Sequence, residues 1–161
     1  MTVATKLRYW LLKTEPEVFS IDDLKASQDF TTCWDGVRNY QARNFMRDQM
    51  HLDDRVLVYH SNSAPSAVVG TARICKTAYP DFTSWDWKDP HFDPKSKPEN
   101  PTWFMVDIRF ESKFSVPQSL FELKQIPKLE GMELLRKGSR LSVQPVTKLQ
   151  FDTILKLGKP M

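Results

Sequence analysis

At 161 residues, with 40% hydrophobic and 27% charged side chains, the chain is long enough for one domain with a real core and has an ordinary globular composition. Its net charge of +3 permits contact with phosphates without demanding it. No apolar run approaches membrane-span length, and Cys33 and Cys75 form no C-x-x-C pair, so neither a spanning helix, a disulfide framework nor a zinc site is suggested.

Leu7 to Thr14 reads as a first strand, because Tyr9, Trp10, Leu11 and Leu12 are continuous, as in a strand covered on both faces. Pro16 ends it. Ser20-Ile-Asp-Asp23 is a capping box, with Phe19 and Leu24 as its hydrophobic staple, and opens a short helix to about Ala26. The stretch Thr32 to Arg47 sets Trp34 beside Gly36 and then enters a helix capped by Asn39 that runs to about Met50. Ala42, Phe45, Met46, Gln49 and Met50 give that helix its buried face, while Arg43 and Arg47 lie one turn apart on another.

Arg55 to His60 is a second strong strand, Ser61 to Pro65 a turn, and Ala67 to Thr77 the next strand. Gly70 within it predicts a bulge or a close backbone approach. Tyr79 to Pro101 is rich in Pro, Asp and Lys yet carries Phe82, Trp85, Trp87, His91 and Phe92. A loop of this length, at about 81–101, is expected to be functional and mobile, as a lid would be. Trp103 to Phe114 alternates as a long strand, with Phe104, Val106, Ile108 and Phe110 opposite Asp107, Arg109 and Glu111. Pro117 opens a helix over Gln118 to Lys124, and Leu129 to Lys137 forms another, ended by Gly138. Ser139 to Val143 is a short strand stopped by Pro145. Thr147-Lys-Leu-Gln150 is a second capping box, with Val146 and Phe151 as staple, and the last helix closes at Gly158. Strands separated by short helices, without βαβ spacing, indicate an α+β fold: a mixed sheet or barrel decorated by helices, in a single domain spanning 1–161.

Trp34, Arg38, Asn39 and Tyr40 gather at a helix N-terminus, where free N–H groups favour an anion or an acceptor. An aromatic plate beside donors suits a planar, polar ligand such as a nucleobase, while the residues alone read first as a helix with a packed Trp ahead of it. Asp86, Asp89, His91 and Asp93 have the ligand types for a divalent ion, but interleaved Trp, Lys and Pro point to a solvated loop, so no metal or other cofactor is assigned. Cys33 precedes a helix start that could lower its pKa, yet no histidine sits in a partner motif, and buried cysteine is usually inert. Phosphate-loop, dinucleotide, zincin and nucleophile-elbow motifs are absent, and nothing indicates an enzyme. Lys13 and Glu15, then His60, Ser61 and Asn62, then Arg140 and Ser142 join the Trp34-Asp-Gly36-Val37-Arg38 stretch at strand ends and helix starts. Singly each reads as a cap, a turn or a ladder end; jointly they read as one pocket.

The text Tyr9-Trp-Leu-Leu-Lys-Thr-Glu-Pro16, Phe19-Ser-Ile-Asp22 and Trp34-Asp-Gly-Val-Arg-Asn-Tyr-Gln-Ala-Arg43 closely resembles the EVE domain family. So do Tyr59-His-Ser-Asn62, Asp93-Pro-Lys-Ser96 and Gly138-Ser-Arg-Leu-Ser-Val-Gln-Pro145, in order, over nearly the whole chain. The resemblance implies a PUA-like fold, a partly open mixed β-barrel with several short helices around it, related to YTH and ASCH domains. It implies a reader of modified bases in DNA, chiefly C5-modified cytosine, acting without catalysis. Trp34 would be a pocket wall and Trp85 or Trp87 a second; Asn39, Tyr40, Ser61, Asn62 and Ser142 would surround or read the base edge. Arg38, Arg43 and Arg140 would supply phosphate affinity. The alternatives are an RNA-binding module of the same fold and an enzyme acting on a small modified nucleoside or nucleotide. Met1 to Lys6 has no leader pattern, so the expected compartment is the cytoplasm in a bacterium and the nucleus in a eukaryote, with no membrane partner.

Overall fold

The computed structural model describes residues 6–161; residues 1–5, and with them most of the stretch judged to lack a leader pattern, lie outside. Six strands form one sheet in the order β2-β5-β4-β3-β1-β6. They are β1 (Tyr9–Thr14), β2 (Thr31–Cys33), β3 (Arg55–His60), β4 (Ala67–Pro80), β5 (Phe104–Ser119) and β6 (Val143–Val146). β1 and β3 are parallel, and every other neighbouring pair is antiparallel. The crossover between the parallel pair carries α1 (Ile21–Ala26), β2 and α2 (Tyr40–Asp48). Two further helices follow β5: α3 (Leu120–Leu123) and α4 (Lys148–Gly158). The sheet stays open at β2 and β6, so the architecture is a barrel-like mixed sheet wrapped by helices. Among the described residues no helix is long and apolar enough to cross a membrane.

The continuous apolar runs in β1 and β3 reflect burial on both faces. Trp10, Leu12, Val56 and Val58 enter one core with α1 and α2, while Leu11, Leu57 and Tyr59 enter a second with α4. Each fully buried side chain of this size stabilises the fold by about 1.5–3 kcal/mol. Trp10 also carries a polar atom inside, and its Nε1–H donates to Asp54 Oδ2 at 3.0 Å. Asp54 is satisfied further by the backbone N–H groups of Arg8 and His51, as a buried carboxylate requires.

Both capping boxes form, at Ser20/Asp23 and Thr147/Gln150, and Asn39 accepts from Ala42 N. Gly70 lies at a register shift against β5, and a Cβ there would sit 2.4 Å from the Ser112 carbonyl oxygen. Several element boundaries differ from expectation. β2 has three residues, too few to show alternation in the sequence. β4 runs on to Pro80. β5 continues to Ser119, so Pro117 sits in the strand instead of opening a helix. It falls in the irregularity between the Val68–Gln118 and Gly70–Lys113 pairs, where no ladder bond is required of it. In place of a helix over Leu129 to Lys137 there are two 3-10 turns, Pro127–Leu129 and Glu133–Leu135, interrupted at Gly131. Pro145 lies within β6 rather than ending it, which an edge strand tolerates.

Candidate nucleic-acid interface

The site is assembled where the long loop folds back onto the segment between β2 and α2. Trp34 is held by its backbone N–H, which donates to the Val106 carbonyl at 2.7 Å. Its side chain is only 8% exposed and meets Phe19 edge-on, with ring centroids 6.3 Å apart. Asp81, fully buried at the start of the loop, accepts from Gly36 N at 2.9 Å, Arg38 Nη1 at 3.0 Å and Thr83 N at 2.9 Å. Burial pushes the Asp81 carboxyl up, but the bonds from Thr83, Gly36 and Arg38 outweigh it and hold the group below its ordinary value.

Arg38 is the clamp. Its Nε and Nη2 both donate to the His91 carbonyl at 3.0 and 2.8 Å, Nη1 also reaches the Val37 carbonyl, and Nη2 reaches Thr83 Oγ1. With the Asp81 bond, all five guanidinium N–H groups are engaged inside the protein. Arg38 is therefore withdrawn from the expected phosphate contacts and instead fixes the loop. Gly36 completes the closure. It has φ +77°, and a Cβ there would fall 2.6 Å from the His91 ring, so only glycine lets the loop approach this closely.

The loop is stitched to itself and to Trp103, just ahead of β5. Asp93 N donates to the Ser84 carbonyl, buried Ser84 and Ser96 bond through their hydroxyls, and Trp103 Nε1 donates to Asp93 Oδ2 at 2.7 Å. Arg43 adds a second fastening, donating to the Thr102 carbonyl at 2.9 Å and stacking 4.9 Å over Tyr40, whose ring lies against Trp103.

Between loop and sheet lies a cleft of about 460 Å³. Phe19, Trp34 and His91 provide its aromatic surface, and Thr32, Cys33, Asp35 and Asp89 its polar surface. Asp35, Asp89 and His91 have their ligand atoms within 4.8 Å of one another, a spacing compatible with a divalent cation. The set read from the sequence is not gathered: Asp86 caps the backbone of Lys88, and Asp93 is taken by Trp103 and Lys95 N. Burial, then Asp35 and Asp107, push the Cys33 thiol up, which disfavours the thiolate a nucleophile needs. A larger hollow of about 790 Å³ lies near the beginning of β1, where Arg8 is engaged with Gln49 and Lys148 with Asp152.

Of the residues read from the sequence, Lys13, Trp34, Gly36, Val37, Arg38 and Ser142 line the cleft. Others lie outside it. Asn39 caps α2, and Tyr40 is 62% exposed on Trp103. His60 Nε2 accepts from Ile21 N at 3.1 Å and so anchors α1. The Glu15 carbonyl accepts from Val18 and Phe19, Ser61 N donates to the Thr14 carbonyl, and Asn62 is an exposed turn residue. Trp85 is half-buried and Trp87 is 74% exposed, so neither forms a second wall of this cleft. Arg140 is exposed and makes no hydrogen bond to a described residue. In the sequence Phe19 reads as a helix staple and Asp35 only as a member of the Trp34 stretch, and nothing there joins Cys33, Asp89 and His91 to them. The Asp35-Gly36 pair beside an aromatic was the available signal, because such a glycine marks a close approach.

The EVE domain family model matches residues 8–157. Thymocyte nuclear protein 1 of Rattus norvegicus is 48% identical over 165 aligned positions, covering 92% of this chain and 73% of its own length. The crystal structure of the human THYN1 protein in complex with 5-methylcytosine-containing DNA aligns with a TM-score of 0.88 at 44% identity, covering 94% of this chain and 97% of that one. An ASCH protein from Zymomonas mobilis aligns with a TM-score of 0.55 over 93% of this chain and 98% of its own, at 13% identity, a likeness of fold alone.

Proposed function

The chain belongs to the EVE domain family, and on that premise we propose that it is a non-enzymatic nucleic-acid-binding module whose cleft receives one modified base, a C5-modified cytosine of DNA. The observation that carries this reading is the cleft beside Trp34, in a chain so similar to a protein crystallised on 5-methylcytosine-containing DNA. A base must leave the stack to enter a cleft of this kind, at a cost of a few kcal/mol. One aromatic contact returns about 1–3 kcal/mol, so edge hydrogen bonds and backbone charge have to supply the remainder. With Arg38 and Arg43 engaged internally, that charge falls to exposed groups such as Arg140. The elevated Cys33 thiol and the use of His60 as a backbone acceptor support binding rather than catalysis.

Titration of the protein with matched oligonucleotides tests the reading. A duplex with one 5-methylcytosine should bind more tightly than its unmodified twin and more tightly than RNA of the same sequence. Equal affinity for methylated and plain cytosine, or preference for the RNA, would overturn it. A nuclear location, where the source is a eukaryote, belongs to the same proposal and is checked by imaging a tagged chain.

A further inference from the structure

A reader of methylated cytosine faces a competitor that its aromatic wall cannot reject. Thymine has the same ring size and the same C5-methyl group, and it differs along the base edge. Cytosine presents an exocyclic N4 amine, a donor, where thymine presents the O4 carbonyl, an acceptor. Stacking and methyl contacts treat the two alike. Discrimination needs an acceptor in the cleft with unused capacity, held where it cannot turn away.

The polar groups of the cleft can be taken in turn. The Arg38 donors are all engaged. The Thr14 hydroxyl donates to the Phe19 carbonyl, and Thr32 Oγ1 lies near the Cys33 carbonyl. Asp89 accepts from His91 N at 2.8 Å and lies 3.2 Å from His91 Nδ1. Asp35 remains. It lines the cleft, and its carboxylate takes a hydrogen bond from its own backbone N–H and none from another described residue, which leaves acceptor capacity unused. Its backbone is nonetheless fixed, because the next residue, Gly36, is tied by its N–H to buried Asp81 and pressed against the His91 ring.

Resting on the base-reading function above, we propose that Asp35 is the specificity-determining residue that separates 5-methylcytosine from thymine, its carboxylate accepting the N4 amine of the bound base. A carboxylate is an acceptor that suits cytosine N4 and repels a carbonyl oxygen. Burial and the neighbouring Asp81 charge, partly offset by His91, raise the cost of keeping Asp35 ionised without a partner. An amine donor relieves that cost, whereas thymine O4 adds to it.

The test uses the whole chain and three duplexes that differ at one position: 5-methylcytosine, cytosine or thymine, each opposite guanine. Comparing variants on the same duplexes cancels the cost of opening each pair. The wild type should prefer 5-methylcytosine to thymine by at least about tenfold, the size of one charge-assisted hydrogen bond. Asp35→Asn, whose amide can donate to O4, should cut that ratio to about threefold or less by weakening 5-methylcytosine and sparing thymine. Asp35→Ala should weaken 5-methylcytosine to a similar degree without improving thymine, and melting curves confirm that both variants fold. An unchanged ratio in both variants, with preference for 5-methylcytosine over cytosine intact, overturns the role of Asp35 alone. A wild type indifferent to cytosine methylation overturns the base-reading function and this inference with it. If a chelator abolishes wild-type discrimination, Asp35 acts through a cation shared with Asp89 and His91, and direct acceptance by its carboxylate is refuted.

Discussion

Replacing Asp81 by alanine removes the point at which the long loop is tied to the cleft. The carboxylate is fully buried and takes donors from Gly36, Arg38 and Thr83. Leaving a buried donor unpartnered costs about 1–3 kcal/mol, and removing one member of a buried ion pair about 3–5 kcal/mol. These figures describe overlapping losses and do not add. The Arg38 side chain is 21% exposed and keeps its bonds to the His91 carbonyl, which puts the expected loss near the lower end, about 3 kcal/mol. For a domain of this length each kcal/mol lowers Tm by roughly 2–4 °C, so a fall of roughly 6–12 °C is expected. Asp81→Asn keeps one acceptor oxygen, for Gly36 or for Thr83 but not for both, and should lose somewhat less. Calorimetry measures the shift, and hydrogen exchange locates it. The Ser84 and Asp93 amides, bonded to the Asp81 and Ser84 carbonyls, should be protected in the wild type and lose protection in Asp81→Ala. The loop tip around Trp87 should exchange quickly in both proteins. A Tm within about 2 °C of wild type, with loop exchange unaltered, would refute the assignment of Asp81 as the anchor.

Trp34→Ala should be costly twice over, because the side chain is 8% exposed in the core and also lines the cleft. Denaturant unfolding should show a loss of about 3–5 kcal/mol, and the folded protein should bind methylated duplex roughly five- to 150-fold more weakly; full stability together with full affinity would refute both placements. His60 accepts from Ile21 N as a neutral ring, and burial, more than Asp22 raises it, pushes its pKa down. A depressed histidine contributes stability that is present above its unfolded pKa of about 6.5 and is lost as pH falls through the folded value. The stability difference between wild type and His60→Gln should therefore shrink from pH 7 to pH 5, and a constant or growing difference would be the contrary result. Arg140→Ala should weaken binding to all duplexes alike and reduce the slope of log affinity against log salt by about 1; selective loss on methylated duplexes would place Arg140 at the base instead.

Local chemistry accounts for what the sequence alone determined. Ser20/Asp23, Asn39 and Thr147/Gln150 cap their helices through bonds that span three residues, so the text itself specifies them. The unbroken Tyr9–Leu12 and Val56–Tyr59 runs announce strands buried on both faces, and neither strand is at an edge of the sheet. An aromatic followed by a glycine and a capped helix is likewise a short-range pattern, so the Trp34 stretch is legible in the text, whereas a pocket wall at Trp34 is implied by the family resemblance alone. What the text leaves open depends on residues far apart in the chain. Arg38 reads as a free cation until the loop brings Asp81 and the His91 carbonyl to it, 43 and 53 positions away. Asp35 reads as an ordinary turn acid until the same fold-back sets Asp89 and His91 beside it. His60 and Asn39, candidates for contacting a ligand, are drawn off by backbone donors of α1 and α2. A side chain's hydrogen-bonding capacity is set by its type, but which partner takes up that capacity is decided by long-range closure. Only the folded chain separates the polar groups that hold the cleft together from those that line it without a partner.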